Sequence, residues 1–475
     1  MSNALNALID ELGLRSYFNG QVNIDGQDPM LASPHKLGEA VSTALLLGAA
    51  AGSAIWKMRT GQDNDLSIRM CDAIHFLHPV HFIWQNGYSM DVHADSVDLN
   101  YHYLCRDGRR VWIQCGPPYA KLQNGYLNFF NCGNNKKAIA ERIVQWNSFE
   151  LEEKLAELGL PCCVVRTPEE WRAHPQGKLL VNTPLIEIEK VADGKPAGLD
   201  GETFLPLTGV NVLDFTHVLA GPRAMMGLAE FGANVLQVVP PHHIDPKTIN
   251  LGVNAGKQSA FADLRDERDL RQFKRLLARA DVFASSYRPS VIDRFHLACE
   301  KVVPLNSRGM VYLSVNAYGH EGPWKDRAGF DQNAQMVSGF AATEGTLDAP
   351  KPPPTFYIND LLTAYFGTAG VMAALLRRAT EGGSYHVKIS LTRSCMWAQD
   401  LGLIAPEVYR QAPESDCFPR RFTNDPSQYT YLPSFSHERS PYGLITRLAP
   451  PVKFSHLTLA TLPSPVPYGS CSLSF

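Results

Sequence analysis

GVNVLDFTHVLAGPRAMMGLAEFGANVLQVV, residues 209–239, is the stretch whose reading decides the fold. It opens on the run GVNVLDF, mostly apolar, which reads as a strand. GPRAMMGLAEFG follows, opening on Gly-Pro and closing at Gly232 as a helix would. ANVLQVV is a second strand-like run with β-branched residues. Strand, helix and strand in about 30 residues describe a βαβ unit, and its two strands must run parallel.

The alternation continues downstream. DERDLRQFKRLLARA (266–280) and PSVIDRFHL (289–297) read as helices, and DVFASSY (281–287) and GMVYLSVNAYG (309–319) as strands. This predicts a doubly wound α/β domain from 208 to about 320, within a large domain that runs over 208–400. The turn after the first strand, THVLAGP, is not G-x-G-x-x-G, so a dinucleotide is not expected there. It still lies at a strand's C-terminal end, where such sheets bind ligands.

Upstream, the loop VADGKPAGLDGETFLPLT (191–208) marks a boundary. Residues 1–70 read as a helical segment with a long helix over about 36–58. Residues 71–195 read as a smaller α+β domain. It holds a β-hairpin over about 98–118 turning at Asp107-Gly108, and a helical run over 136–158. Thr167, Pro168 and Glu170 have the spacing of a capping box. Residues 401–475 form a Pro/Ser-rich extension, with one strand-like piece at YGLITRLAPPVKFSH (442–456) and a last dozen residues expected to be poorly ordered.

Composition narrows the function. The chain has 475 residues, 45% apolar and 19% charged, with a net charge of −3. That is an ordinary globular balance, without the basic surface that nucleic acid or an anionic membrane would need. Ala40 to Trp56 is uncharged, but it is short for a span and rich in small residues, so it reads as a buried helix. Ten cysteines without a C-x-x-C pair read as reduced thiols in a cytoplasmic setting, and a mitochondrial or peroxisomal one remains compatible. His242-His243 has no further ligands at metal spacing, His78 and His81 sit in an aromatic stretch, and no metal site is expected. No G-x-S-x-G elbow supports a serine hydrolase.

The chain also echoes itself. LGEAVSTALLLGAAAGSAIWKMRTGQDNDLSI follows the outline of INDLLTAYFGTAGVMAALLRRATEGGSYHVKI: an acid, a long helix of small residues, a Gly turn and a short strand. An offset of 321 carries Gly61 to Gly382, Ile68 to Ile389 and Glu39 to Asp360.

Five stretches, in order, carry a resemblance: 209–241, NAGKQSAFADLRD (254–266), ADVFASSYRPSVIDRF (280–295), LSVNAYGHEGPWKDRAGFDQNAQMVSG (313–339) and YINDLLTAYFGTAGVMAALL (357–376). Together they resemble the family III CoA-transferases, the CaiB/BaiF family. Residues 36–190 look like the later part of the same family, so the chain resembles a rearranged or truncated double-length member. The resemblance implies a Rossmann-like large domain with a small domain, interlocked homodimers, and transfer of CoA from an acyl-CoA to a carboxylic acid through an aspartate. CoA enters as a thioester substrate, and no permanently bound cofactor is implied. The family's I-x-D-x-x-x-x-x-x-G pattern places the nucleophile at Asp360. The CoA-contacting turn falls on His217, Val218, Leu219 and Ala220. The adenosine side falls on Ala262, Asp263, Leu264 and Arg265, then on Ser286, Tyr287 and Arg288. Arg294 corresponds to the cation nearest the phosphates, and Asp331 to the acid of the GFD motif. Lys257 is a further, weaker cation. The chain departs from the family at Pro240, where some members have Arg, at Leu219, where a transferase has Gln, and in lacking a triple-glycine lid within 80–100. Phe330 stands where the racemase branch has His.

A helix-capping role for Asp360 and a catalytic one are compatible. A carboxylate at a helix N-terminus is expected to stay ionised and to attack a thioester carbonyl, with the helix amides steadying the oxyanion. Three readings follow: a CoA-transferase, an acyl-CoA racemase or isomerase, and a non-catalytic family member. Phe330 disfavours the second, because proton exchange at carbon needs a base on each face.

Overall fold

The structure is a computed structural model, and it describes residues 3–90, 99–116, 119–199, 202–414, 418–459 and 461–475. The elements that position the site are, in chain order, helix α1 (Leu37–Thr60), strand β1 (Glu187–Ala192), strand β2 (Asn211–Phe215), helix α2 (Ala220–Glu230) and strands β3 (Asn234–Val239) and β4 (Gln258–Phe261). Strands β5 (Val282–Ser285) and β6 (Val311–Asn316), helix α3 (Asn359–Glu381) and strand β7 (Ser384–Ser390) complete them.

Seven strands form one sheet in the order β4-β3-β2-β5-β6-β7-β1. β2 to β7 pair in parallel, and β1 closes the sheet antiparallel to β7. Taken in chain order, the six parallel strands follow the doubly wound order, which reverses between β2 and β5. These strands are mostly apolar and buried because helices cover both faces. In β2, Val212, Leu213, Asp214 and Phe215 are all buried. The doubly wound α/β reading therefore holds, and the structure adds β7 and β1 to it. β1 precedes the 191–208 loop in the chain, yet it belongs to this sheet.

On the sheet's apolar face α1, α2 and α3 pack closely, because small residues let them. A Cβ on Gly227 of α2 would stand 2.5 Å from Thr368 Oγ1 of α3, and one on Gly52 of α1 2.3 Å from the Phe231 ring. α1 is the one described helix long and apolar enough to cross a membrane, and 89% of that apolar window is buried inside the protein. The echo between the two long helices is geometric as well. Gly61 and Gly382 both end their helices at positive φ, with amides returning to Lys57 O and Arg378 O.

Residues 99–164 build a core of their own from Tyr103, Val111, Ile113, Tyr126, Ile139, Leu151 and Val164. The hairpin at Asp107-Gly108 forms as read, and so does the Thr167 capping box. The 136–158 run is two helices, Lys136–Ile143 and Ser148–Glu157. The break has a cause: the Asp107 carboxylate in the hairpin turn accepts from Ser148 N at 3.0 Å and from its hydroxyl at 2.8 Å, and so starts a new helix there.

The C-terminal extension is woven into the molecule. Phe435–Ser440 and Gly443–Leu448 form a hairpin whose second strand pairs with Trp84–Gln85, and Lys453–Phe454 pairs with Leu66–Ser67. The last residues, expected to be loose, lie along edge strand β4: Cys471 N donates to Ser259 O at 2.8 Å, and Leu473 and Phe475 pack on the core behind it. A tail that finds an unpaired strand edge and an apolar wall is held without regular structure of its own. Of the segment expected to lack a glycine lid, residues 91–98 lie outside the described residues.

Candidate active site

Asp360 is the second residue of α3, and it is 6% exposed. It is not the cap. The N-cap position is Ile358, whose side chain caps nothing. Asp331 reaches across from the start of the helix Asp331–Val337, and its Oδ2 accepts from Asp360 N at 2.8 Å and from Ile358 N at 3.3 Å. Gln335 donates to the other Asp331 oxygen. Asn359 Nδ2 donates to the Asp331 carbonyl at 3.0 Å, tying the two helix starts together.

This overturns the expectation that helix amides hold Asp360 ionised and steady the oxyanion. Those amides are spent on Asp331. No described residue donates a hydrogen bond to the Asp360 carboxylate; burial, and then the neighbouring Asp331 charge, push its pKa well above the usual carboxylate range. Burial pushes Asp331 up to about 6, against the pull of its amide donors. Asp331, with the donors, is the member that keeps the negative charge; Asp360 holds the proton.

Asp360 faces a hollow at the C-terminal edge of the sheet, at the switch point between β2 and β5. The turn after β2 supplies His217, Val218, Ala220 and Gly221, and Ser286 follows β5. The end of β6 supplies Val315, Asn316 and Ala317, with Gly329, Phe330 and Leu391 completing the wall. The turn is strained and held. Val218, a β-branched residue, sits at φ +67°, a conformation that costs of order 1–3 kcal/mol. Its amide donates to Asp245 Oδ2 at 2.8 Å, and the Tyr119 hydroxyl donates to the other oxygen. His217 N donates to Ser286 Oγ at 3.0 Å, joining the turns after β2 and β5. The His217 ring packs on Tyr287 at 4.5 Å and edge-on to His243 at 5.6 Å. Burial lowers its pKa to about 4, so it is neutral at pH 7.

The structure thus gathers His217, Val218, Ala220, Ser286 and Asp360 around one space, with Tyr287 and Asp331 directly behind. Leu219 points away, into a cluster with Val80, Ile83 and Leu251. Ala262 and Leu264 are buried beyond β4. Arg265 pairs with Asp263 at 2.7 Å and meets His242 Nδ1 at 3.1 Å, so these residues lie along the same sheet edge but outside the hollow. Arg288 is half-buried with Nη1 3.4 Å from Asp326 O, and Arg294 is exposed on the short helix Pro289–Arg294. Lys257 is not a candidate for phosphate. It is buried and donates to Asp214 at 2.8 Å, to Pro222 O at 2.7 Å and to Asn254 at 2.9 Å.

Asp245, His243 and Tyr119 were not singled out as site residues. The one available signal was position: PPHHIDP follows the second strand of a βαβ unit, and that end of a strand is where ligands sit. Among the described residues no cluster of His, Cys, Asp and Glu could hold a metal ion.

Comparison with known proteins picks out the same part of the chain. Residues 207–424 match the model of CoA-transferase family III. An acetyl-coenzyme A transferase, nodX, of Hypoxylon pulicicidum is 35% identical over 197 residues, covering 40% of this chain and 33% of its own. An acyl-CoA transferase of Gibberella moniliformis is 31% identical over 295 residues, covering 59% and 52%. Mouse succinyl-CoA:glutarate CoA-transferase is 33% identical over 213 residues, covering 42% and 48%. Among solved structures, Rv3272 of Mycobacterium tuberculosis is 30% identical with a TM-score of 0.39, covering 42% of this chain and 56% of that one. The chain spans between a third and about half of the curated relatives named here. The likeness to CoA-transferase family III thus rests on residues 207–424, a little under half of the chain.

Proposed function

We propose that the protein moves CoA from an acyl-CoA thioester to a carboxylic acid, with Asp360 as nucleophile. The observation that carries this reading is a buried carboxyl without a hydrogen-bond donor among the described residues, facing a hollow at the sheet's switch point. A structural carboxyl would be expected to use its oxygens; Asp331 does so, and Asp360 does not. Once deprotonated, Asp360 attacks the thioester carbonyl and expels the CoA thiolate, leaving an aspartyl–acyl anhydride. The thiolate attacks the aspartyl carbonyl and releases the donor acid, giving an aspartyl–CoA thioester. The acceptor carboxylate then attacks that thioester, and the same steps run in reverse release acyl-CoA. His217 and the strained Val218 turn bound the thioester end, and Arg294 and Arg265 offer charge for the CoA phosphates. No resident cofactor takes part in this scheme. The protein works in the cytoplasm as a homodimer in this reading, and light scattering on the purified chain tests the second point.

Phe330 beside Asp360 carries no proton-transferring group, which favours transfer over racemization. The test is chemical. The protein is mixed with a panel of acyl-CoAs, quenched with hydroxylamine and digested. A hydroxamate on Asp360, absent from Asp360→Asn, is the expected result. No adduct from any acyl-CoA would return Asp360 to a purely structural role.

A further inference from the structure

A second space lies between α1, α2 and α3, away from the sheet edge. It is a cavity of about 50 Å3 that opens to solvent at its mouth, and it shares no lining residue with the hollow at Asp360. Its walls are largely apolar, with Phe76, Phe231, Val452, Phe454 and Leu459 among them. Two charged groups, Arg223 and Glu230, line it. Arg223 of α2 is 3% exposed, its Nη2 donates to Glu230 at 3.0 Å, and its guanidinium lies 5.1 Å from the Tyr365 ring centroid. Its Nη1 is buried and makes no hydrogen bond of good geometry among the described residues. A buried donor left unpaired costs about 1–3 kcal/mol.

Gly48 gives the second, independent observation. It lies inside the long helix α1, where glycine is about 1 kcal/mol less favourable than alanine. Gly52 and Gly227 are explained by close contacts, but a Cβ on Gly48 would meet nothing within 4 Å. The glycine does not serve packing. It leaves the wall of this space open.

We propose that this space binds an aliphatic molecule carrying an uncharged carbonyl oxygen, an ester or a ketone, with the carbonyl accepting from Arg223 Nη1. Glu230 already balances the guanidinium charge, so a carboxylate would leave a net negative charge among apolar groups, whereas a neutral acceptor completes the donor without one. A second space around Met226, Leu251 and Leu462 shares Phe76, Arg223, Glu230 and Pro450 with the first. Arg223 therefore stands between two largely apolar arms, the second of which also carries Arg447, as suits a carbonyl with a chain on one or both sides. The site is independent of the chemistry proposed at Asp360.

Calorimetric titration of the full chain with methyl octanoate, and separately with octanoate at pH 8, tests this. The ester is expected to bind saturably at one site, and octanoate at least tenfold more weakly. Gly48→Leu should abolish ester binding while melting at or above the wild-type temperature, and Arg223→Met should weaken it at least fivefold. Absence of saturable ester binding to the wild type overturns the proposal, as does unchanged binding in Gly48→Leu. Octanoate binding as tightly as the ester overturns the uncharged head group.

Discussion

At Asp360 stability and chemistry pull in opposite directions. A carboxyl whose folded pKa is raised binds its proton more tightly in the folded than in the unfolded chain. Its stabilising contribution is present below the unfolded value, near 4, and is lost as pH rises toward the folded one, at about 1.4 kcal/mol per pKa unit. Asp360→Asn has no proton to lose. It should be more stable than wild type at pH 7, by an increment that grows between about pH 4 and the folded pKa, while forming no hydroxamate. Denaturant titrations at several pH values check the sign. Asp331 sets where the proton leaves. Its charge is part of what holds Asp360 protonated, so Asp331→Asn should move the rising limb of the pH–rate profile to lower pH. Loss of a cap alone would lower the rate without moving that limb. The motif resemblance reached Asp360 and Asp331, but sequence could not divide their roles, because the capping acid acts from 29 residues away.

At the scale of elements, glycines in one helix have opposite meanings. Gly52→Ala drives a methyl to 2.3 Å from the Phe231 ring and should cost about 1–3 kcal/mol. Gly48→Ala, one turn earlier, meets no atom and should stabilise by up to about 1 kcal/mol. Thermal unfolding of the two variants side by side reads the difference. The same helix makes the internal echo concrete. Asp28 accepts from Glu39 N at 2.7 Å and from Gly38 N at 3.0 Å, as Asp331 does from Asp360 N and Ile358 N. Each long helix is thus capped by an acid outside it, with another acid in its first turn. Glu39 is half-exposed and near Lys36 at 3.5 Å, where Asp360 is buried beside a hollow. The βαβ units were legible because buried parallel strands are continuous apolar runs. Val22–Asp25 was not, since VNID alternates but over only four residues, and its strand exists only because Leu66–Arg69 lies alongside.

On the scale of the whole molecule, the C-terminal tail resolves an edge that sequence composition left open. Pro- and Ser-rich segments read as loose because they bury little by themselves. Here an existing surface supplies what they lack. β4 ends the large sheet, and its Ser259 takes the Cys471 amide on its carbonyl and the Gly469 amide on its hydroxyl. Gln272 fixes the tail further by donating to Leu473 O at 3.1 Å. Deleting residues 464–475 would remove these bonds and the packing of Leu473 and Phe475, exposing an unpaired strand edge beside an apolar wall. Two partly buried side chains are worth about 2–3 kcal/mol together, so the truncated chain should melt several degrees lower. It should also associate as its concentration rises, read by light scattering, because the uncovered β4 can pair with another copy. The double variant Leu473→Ala, Phe475→Ala separates the two effects. It keeps the tail's backbone on Ser259, so it should lose stability yet scatter like the wild type. Association in both variants alike would mean that the apolar wall, and not the open strand edge, drives it.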